Sequence, residues 1–261
     1  MALDGTLTAD VLDDAAIDAP RALDRAERAR ALSAVYEGLS AEEIVQAAVT
    51  GAFAGGIALV SSFGADSAVL LHMISKVDPG LPVVFIDTGK LFGETLRYRD
   101  ALVAKLGLTN VRSVKPTPKR LQEVDPDGTL WFRDTDACCA LRKVEPLSIA
   151  MDEFGAWITG RKRYQAETRS GLPVVEADGD KFKVNPLAGW TSKDVEAYRL
   201  ANDLPAHPLV AEGYKSIGCM PCTTRVADGE DERAGRWRGK AKTECGIHLG
   251  LIGREDMGSG I

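Results

Sequence analysis

Apolar and polar positions fall into alternating blocks along most of this chain. Between Ser40 and Gly56 the apolar residues Ile44, Val45, Ala48 and Phe53 recur at helical spacing, with Ser40 and Glu43 placed as a capping box and Gly55-Gly56 as a stop. A short apolar run over 57–61 then predicts a buried strand. The alternation repeats: helix 66–76, strand 82–86, helix 94–106, strand 110–114, helix 139–154, strand 156–159. Strands separated by helices predict right-handed crossovers, hence an α/β fold with a parallel twisted sheet and helices on both faces. After Gly160 the texture changes to a polar, Arg-rich stretch, followed by a strand-like 181–185 and a capped helix over 191–202. From Gly213 onward glycine, cysteine and charge dominate without a strong period. Three parts are expected: an arm over 1–30 in which chemistry is not anticipated, an α/β domain over 31–212, and an irregular C-terminal extension over 213–261.

Composition narrows the function classes. The 261 residues are 45% hydrophobic and 27% charged, an ordinary globular balance that builds a core without disulfide support. Thirty-two basic against thirty-eight acidic residues leave a net charge of −6, which argues against bulk binding to nucleic acid or an anionic membrane. The longest apolar runs, 51–60 and 68–71, fall short of the roughly 20 residues that span a bilayer. The N-terminus is acidic and lacks the basic-then-apolar run of a secretory signal, so a cytoplasmic location is expected. In that compartment the five cysteines are not expected to form a disulfide framework.

Their placement suggests another use. Cys138-Cys139 and Cys219-x-x-Cys222 supply four thiolates, a complete set for a tetrahedral metal or an iron-sulfur cluster. An adjacent pair is awkward around one zinc ion and easier on two corners of a cuboid, so the spacing leans toward a cluster without excluding zinc. Cys245 stands apart, after Arg233, Arg236, Arg238, Lys240 and Lys242. Flanking cations lower a thiol's pKa, which makes it a candidate nucleophile; an idle cysteine on a solvated basic tail is the competing reading. The small-residue loop Ser61, Ser62, Phe63, Gly64, Ala65, Asp66, Ser67 joins a strand to a helix and can offer backbone N–H groups to an anion, or can simply cap the helix. It matches neither the Walker pattern nor the Gly-x-Gly-x-x-Gly fingerprint. Ile86, Asp87, Thr88 and Gly89 end the second strand on the same carboxyl edge, where open α/β sheets bind ligands.

Taken together, Cys138 to Leu147 (CCALRKVEPL), Gly218 to Thr224 (GCMPCTT) and Lys242 to His248 (KTECGIH) resemble the assimilatory sulfonucleotide reductases, and within them the iron-sulfur branch that acts on adenosine 5′-phosphosulfate (APS). The resemblance runs from about residue 55 to 249. It implies an adenine-nucleotide alpha-hydrolase-like fold, a 4Fe-4S cluster on Cys138, Cys139, Cys219 and Cys222, and Cys245 as the nucleophile that forms an S-sulfocysteine. It also implies thioredoxin or glutaredoxin as reductant, sulfite and AMP as products, a role in sulfate assimilation and cysteine biosynthesis, and neither a nucleic-acid nor a membrane partner. By the same resemblance the 61–67 and 86–89 loops contact substrate, as do Lys143, Gly160, Arg163, Arg169, Arg233, Arg236 and His248. Ile86 stands where Leu is usual and Lys162 where Arg is more frequent. The related reductases of 3′-phosphoadenosine 5′-phosphosulfate (PAPS), or a zinc-stabilised four-cysteine binding module, are the alternatives.

Overall fold

The computed structural model describes residues 24–240, 242 and 244–248. The predicted alternation is present. Helices α1 (Arg25–Tyr36) and α2 (Ala41–Ala47) lead into β1 (Ile57–Ser61), α3 (Ser67–Val77), β2 (Val83–Ile86), α4 (Gly93–Leu106) and β3 (Val111–Val114). Three short helices follow, α5 (Pro118–Val124), α6 (Leu130–Arg133) and α7 (Thr135–Cys139), then α8 (Glu145–Met151) and β4 (Ala156–Ile158). Strands β5 (Val175–Asp178) and β6 (Lys181–Val184) and helix α9 (Ser192–Ala201) complete the regular elements. The sheet order is β3-β2-β1-β4-β6-β5, parallel throughout except for the antiparallel β5–β6 hairpin at one edge.

Strand periodicity sorts the core into two layers. Leu59, Val83, Phe85 and Ile158 point to one face, against helices α2, α3 and α4. Ala58, Val84, Ile86 and Trp157 point to the other, against Leu147 and Met151 of α8. The central strands β1, β2 and β4 are buried on both sides, as a parallel core covered by helices requires.

Two expectations change. Of the arm expected over 1–30, residues 1–23 lie outside the described residues. Arg25–Tyr36 instead form a helix, because Asp24 and Glu27 make a reciprocal capping box and Ala29, Leu32 and Tyr36 are buried. The Ser33 hydroxyl accepts the backbone N–H groups of Val174 and Val175, tying α1 to the sheet edge. The helix expected over 139–154 is interrupted: α7 ends at Cys139, a π-turn spans Ala140–Val144, and α8 resumes at Glu145. Such turns widen a helix locally and re-aim its side chains; this one carries Arg142 and Lys143.

Candidate active site

The winding of the sheet reverses between β1 and β4, so their carboxyl ends diverge and leave a crevice. Three loops line it. After β1, Phe63 adopts φ +48° and buries its ring edge-on against Phe85 at 5.4 Å, which folds the loop back toward α3. A Cβ on Gly64 would sit 3.2 Å from the Ile217 carbonyl, so a glycine there lets the C-terminal segment close over the crevice. Asp66 does not cap α3 with its side chain; it accepts a hydrogen bond from Lys162 Nζ at 2.8 Å, joining the first loop to the one after β4. The cleft, about 240 Å³, is lined by seven Lys and Arg but only three Asp and Glu. In a chain of net charge −6 this is a strong local reversal, and it makes an anion the fitting occupant.

The cysteines converge beside this cleft. Arg142 donates to Asp125 Oδ2 at 2.6 Å and to the Thr88 carbonyl at 2.9 Å, fixing the π-turn and the Cys138-Cys139 pair to the loop after β2. The second pair arrives from the other side. Met220 donates its N–H to the Lys90 carbonyl, and Cys219 forms an isolated bridge with Leu91. Thr88 Oγ1 then lies 3.3 Å from Cys219 Sγ. Burial and the neighbouring Cys219 and Cys222 thiols push the Cys138 thiol up, against the pull of Arg142. All five cysteines are free, and Cys138, Cys139 and Cys219 are buried. Among the described residues no group of three or more His, Cys, Asp or Glu is arranged to hold a metal ion. The donor set itself, four thiols with an ammonium and a hydroxyl near them, is a soft one that suits zinc or an iron-sulfur centre and is unlike the oxygen-rich sites of hard cations.

Cys245 sits at the boundary between the two features. A hydrogen bond with the Cys139 thiol, the Lys143 ammonium, the Ile247 backbone N–H and the Arg236 guanidinium hold its thiol well below the ordinary value, outweighing burial. Lys143 Nζ donates to Cys139 Sγ at 3.6 Å and also lines the cleft, so one cation touches the thiol cluster and the anion site together. The Trp237 ring supports the remaining cations, with Arg236 at 4.5 Å, Lys242 at 5.7 Å, Arg233 at 5.8 Å and Lys143 at 6.0 Å from its centre. A Cβ on residue 218 would fall 2.2 Å from the Arg236 guanidinium, so Gly218 provides the space in which that group lies. His248 stacks on Trp157, rings 6.0 Å apart and 4° from parallel. Burial, then the charges of Arg161, Arg169, Lys183 and Arg233, keep its imidazole neutral, well below its usual value.

Of the residues singled out from sequence, Ser61, Ser62, Gly64, Asp66, Ser67, Ile86, Thr88, Lys143, Gly160, Arg169, Cys219, Arg233, Arg236, Cys245 and His248 line the cleft. Four do not. Phe63 faces the core. Asp87 turns to Lys115 at 2.9 Å and caps the Gly89 N–H, and Gly89 serves the turn at φ +68°. Arg163 points away, bound to Glu37 and to the Leu172 carbonyl, where the chain passes from the extended Lys162 into a short 3-10 turn, Arg163–Gln165. Its neighbour Lys162, almost fully buried, takes the inward position. The charged lining residues that the sequence left without a role are Arg161, Lys162, Lys215, Glu232 and Glu244. Glu244 directly precedes Cys245, but an acid in an expected anion site carries no sequence signal for binding there.

Residues 56–225 match the phosphoadenosine phosphosulfate reductase domain. The chain belongs to that family. Within the phosphoadenosine phosphosulfate reductase family it is 56% identical to a protein of Chelativorans sp. named adenosine 5′-phosphosulfate reductase, over 88% of this chain and 94% of that one. It is 45% identical to a Gloeobacter violaceus protein named phosphoadenosine 5′-phosphosulfate reductase, over 83% and 92%. Among solved structures, a phosphoadenylyl-sulfate reductase from Candida auris in a phosphate complex superposes with a TM-score of 0.67 at 30% identity, covering 78% of this chain and 99% of that one. A Candida glabrata FMN adenylyltransferase shares the fold alone, with a TM-score of 0.50 at 16% identity over 85% and 84%. Among the described residues no helix is long and apolar enough to cross a membrane.

Proposed function

We propose that this protein is an APS reductase, converting APS to sulfite and AMP at the expense of a thioredoxin or glutaredoxin dithiol. The observation that carries the reading is the position of Cys245: a half-buried thiol on the wall of a cationic cleft, with Lys143 and Arg236 beside it. The adenosine would occupy the crevice between the α/β body, 31–212, and the extension, 213–261. Lys143, Arg169, Arg233 and Arg236 would offset the phosphate and sulfate charges. The loop after β1 and the 86–89 turn would shape the nucleoside end.

In the first step the Cys245 thiolate attacks the sulfur of the sulfo group, the S–O bond to AMP breaks, and AMP leaves with the electron pair. The product is a Cys245 S-sulfocysteine. AMP phosphate is a competent leaving group at neutral pH, so no strong general acid is needed, and the neutral His248 imidazole is consistent with that. In the second step a reductant thiolate attacks Cys245 Sγ and expels sulfite, leaving a mixed disulfide. The reductant's second thiol resolves it and restores Cys245. Both electrons come from the dithiol. Cys138, Cys139, Cys219 and Cys222 would hold a 4Fe-4S cluster, which supplies structural closure and a charged neighbour that Lys143 senses. An adjacent Cys138-Cys139 pair is easier to seat on two corners of a cuboid than around one zinc ion, which favours the cluster.

APS rather than PAPS is the assigned substrate because the four cluster cysteines accompany that branch, and because the relative named for APS is more similar than the one named for PAPS. Intact mass after incubation with APS tests the step directly. The wild-type protein should gain a sulfo group on Cys245 and release sulfite when thioredoxin is added. Cys245→Ser should bind AMP unchanged, form no adduct and lose turnover by at least roughly a thousandfold. Sulfite production by that variant removes Cys245 from the chemistry, and parallel assays with PAPS decide between the nucleotides.

A further inference from the structure

Two of the four cations expected to hold the substrate's anions are already engaged by a carboxylate. Glu244 Oε2 accepts Arg169 Nε at 2.8 Å, and Oε1 accepts Arg169 Nη2 at 2.7 Å, a two-point contact of the kind an arginine makes with a phosphate or sulfate edge. Arg233 Nη2 reaches the same Oε1 at 3.3 Å. The three side chains are only 7%, 16% and 12% exposed for Arg169, Arg233 and Glu244, so this is an enclosed pairing rather than a surface ion pair. The same Oε1 also accepts the Cys245 backbone N–H at 3.0 Å, which couples the pairing to the placement of the nucleophile. Lys143 and Arg236 differ. Lys143 donates to Cys139 Sγ, and the buried Arg236 Nε has no hydrogen-bond partner among the described residues.

We propose that Glu244 is a positioning residue: its carboxylate docks the Cys245 segment on Arg169 and Arg233, and it gives up this arginine pair to the oxyanion of an arriving nucleotide. Lys143 and Arg236 then form the part of the site open to the first encounter, and Arg169 and Arg233 the part that is exchanged. The inference rests on the reductase reading only for the identity of the nucleotide. Because Glu244 is covalently next to Cys245, exchange loosens the segment that carries the sulfo group and turns it toward a reductant. Linkage makes the two effects one quantity: the factor by which an anion loosens the segment equals the factor by which the docked segment weakens the anion.

Hydrogen exchange of the peptide containing 244–248, with AMP and inorganic sulfate as probes on the full-length, cluster-loaded protein, tests this without measuring turnover. Saturating AMP should speed exchange of the wild-type segment. Glu244→Gln should speed it by about tenfold or more with no ligand present, since half of a buried charge pair is removed. The same variant should bind AMP and sulfate more tightly by the matching factor, while Glu244→Asp, which keeps the charge but not the reach, should fall between. Thermal unfolding of Glu244→Gln serves as the control for global damage. Weaker or unchanged anion binding in Glu244→Gln overturns the proposal, as does wild-type exchange that AMP slows or leaves alone. If the two factors agree but APS yields no sulfite, the positioning role stands and the reductase reading falls.

Discussion

Trp157 and Trp237 are both buried, and each has a cation over its ring, yet they belong to regions built on different physics. Trp157 lies in the middle of the sheet, packed on Leu147, Met151 and Phe154, with its Nε1 donating to Asp178 at 3.3 Å. Trp237 lies in a segment without regular strands or long helices, four cations gather around its ring, and its Nε1 has no hydrogen-bond partner among the described residues. The first region gains stability from apolar area removed from water, which is insensitive to ionic conditions. The second is held by charge pairs, cation–π contacts and turns, so its geometry responds to whatever anion is present. An apolar layer thus presents a charged one, and Cys245 belongs to the charged layer.

The contrast can be broken at several points. The largest effect is expected from Trp157→Ala, which should cost about 3–5 kcal/mol in denaturant unfolding by leaving a cavity between β4 and α8. A loss below about 1 kcal/mol would mean the sheet face is not the anchor described here. His207 gives the next largest change. Its Nδ1 accepts the Leu209 N–H at 3.2 Å and its Nε2 lies 3.0 Å from Thr95 Oγ1, a neutral tautomer locked in place, and burial lowers its pKa from 6.5 to about 4. The unfolded chain therefore binds the proton more readily, and stability should fall as pH drops from about 6.5 to 4, by a few kcal/mol at most. His207→Gln should flatten that slope, and an unchanged slope assigns it to other groups.

Trp237→Leu comes third. It should cost less in unfolding than Trp157→Ala, because Leu keeps part of the buried volume, while weakening AMP binding by on the order of tenfold, because the ring that aligns Arg233 and Arg236 is gone. Equal damage to folding and binding would erase the distinction between the regions. Raising salt from about 0.1 to 1 M shortens the screening length from roughly 10 to 3 Å. Hydrogen exchange over 213–248 should then quicken modestly and that of the β1, β2 and β4 strands should not. The smallest effect is expected for Ile86→Leu, a near-isosteric change costing less than about 1.5 kcal/mol, with turnover retained.

The sheet and its crevice were legible because each strand and helix carries its own period, and the carboxyl-edge loops follow from the winding. That Cys219 and Cys245 come to the cleft followed from spacing and from family resemblance. What escaped depends on contacts far apart in the chain. Strand β5 is a four-residue edge strand with one exposed position, too short to show a period, and it exists because β6 pairs with it. Helix α1 hides its apolar stripe among arginines, and only its docking on β5 shows which side is buried. Arg163 and Lys162 are equivalent as letters; the fold of one loop decides which of them enters the cleft. Glu244 could not be placed, since its partner Arg169 is 75 residues away.

The close approach at Gly218 carries a consequence for substitution. The Arg236 guanidinium fills the space a methyl group would claim, so a side chain added at 218 pushes that cation aside. The backbone next to Cys219 and a charge on the cleft wall are in this way mechanically joined, and an alteration of that cysteine loop would be felt as an altered hold on anions.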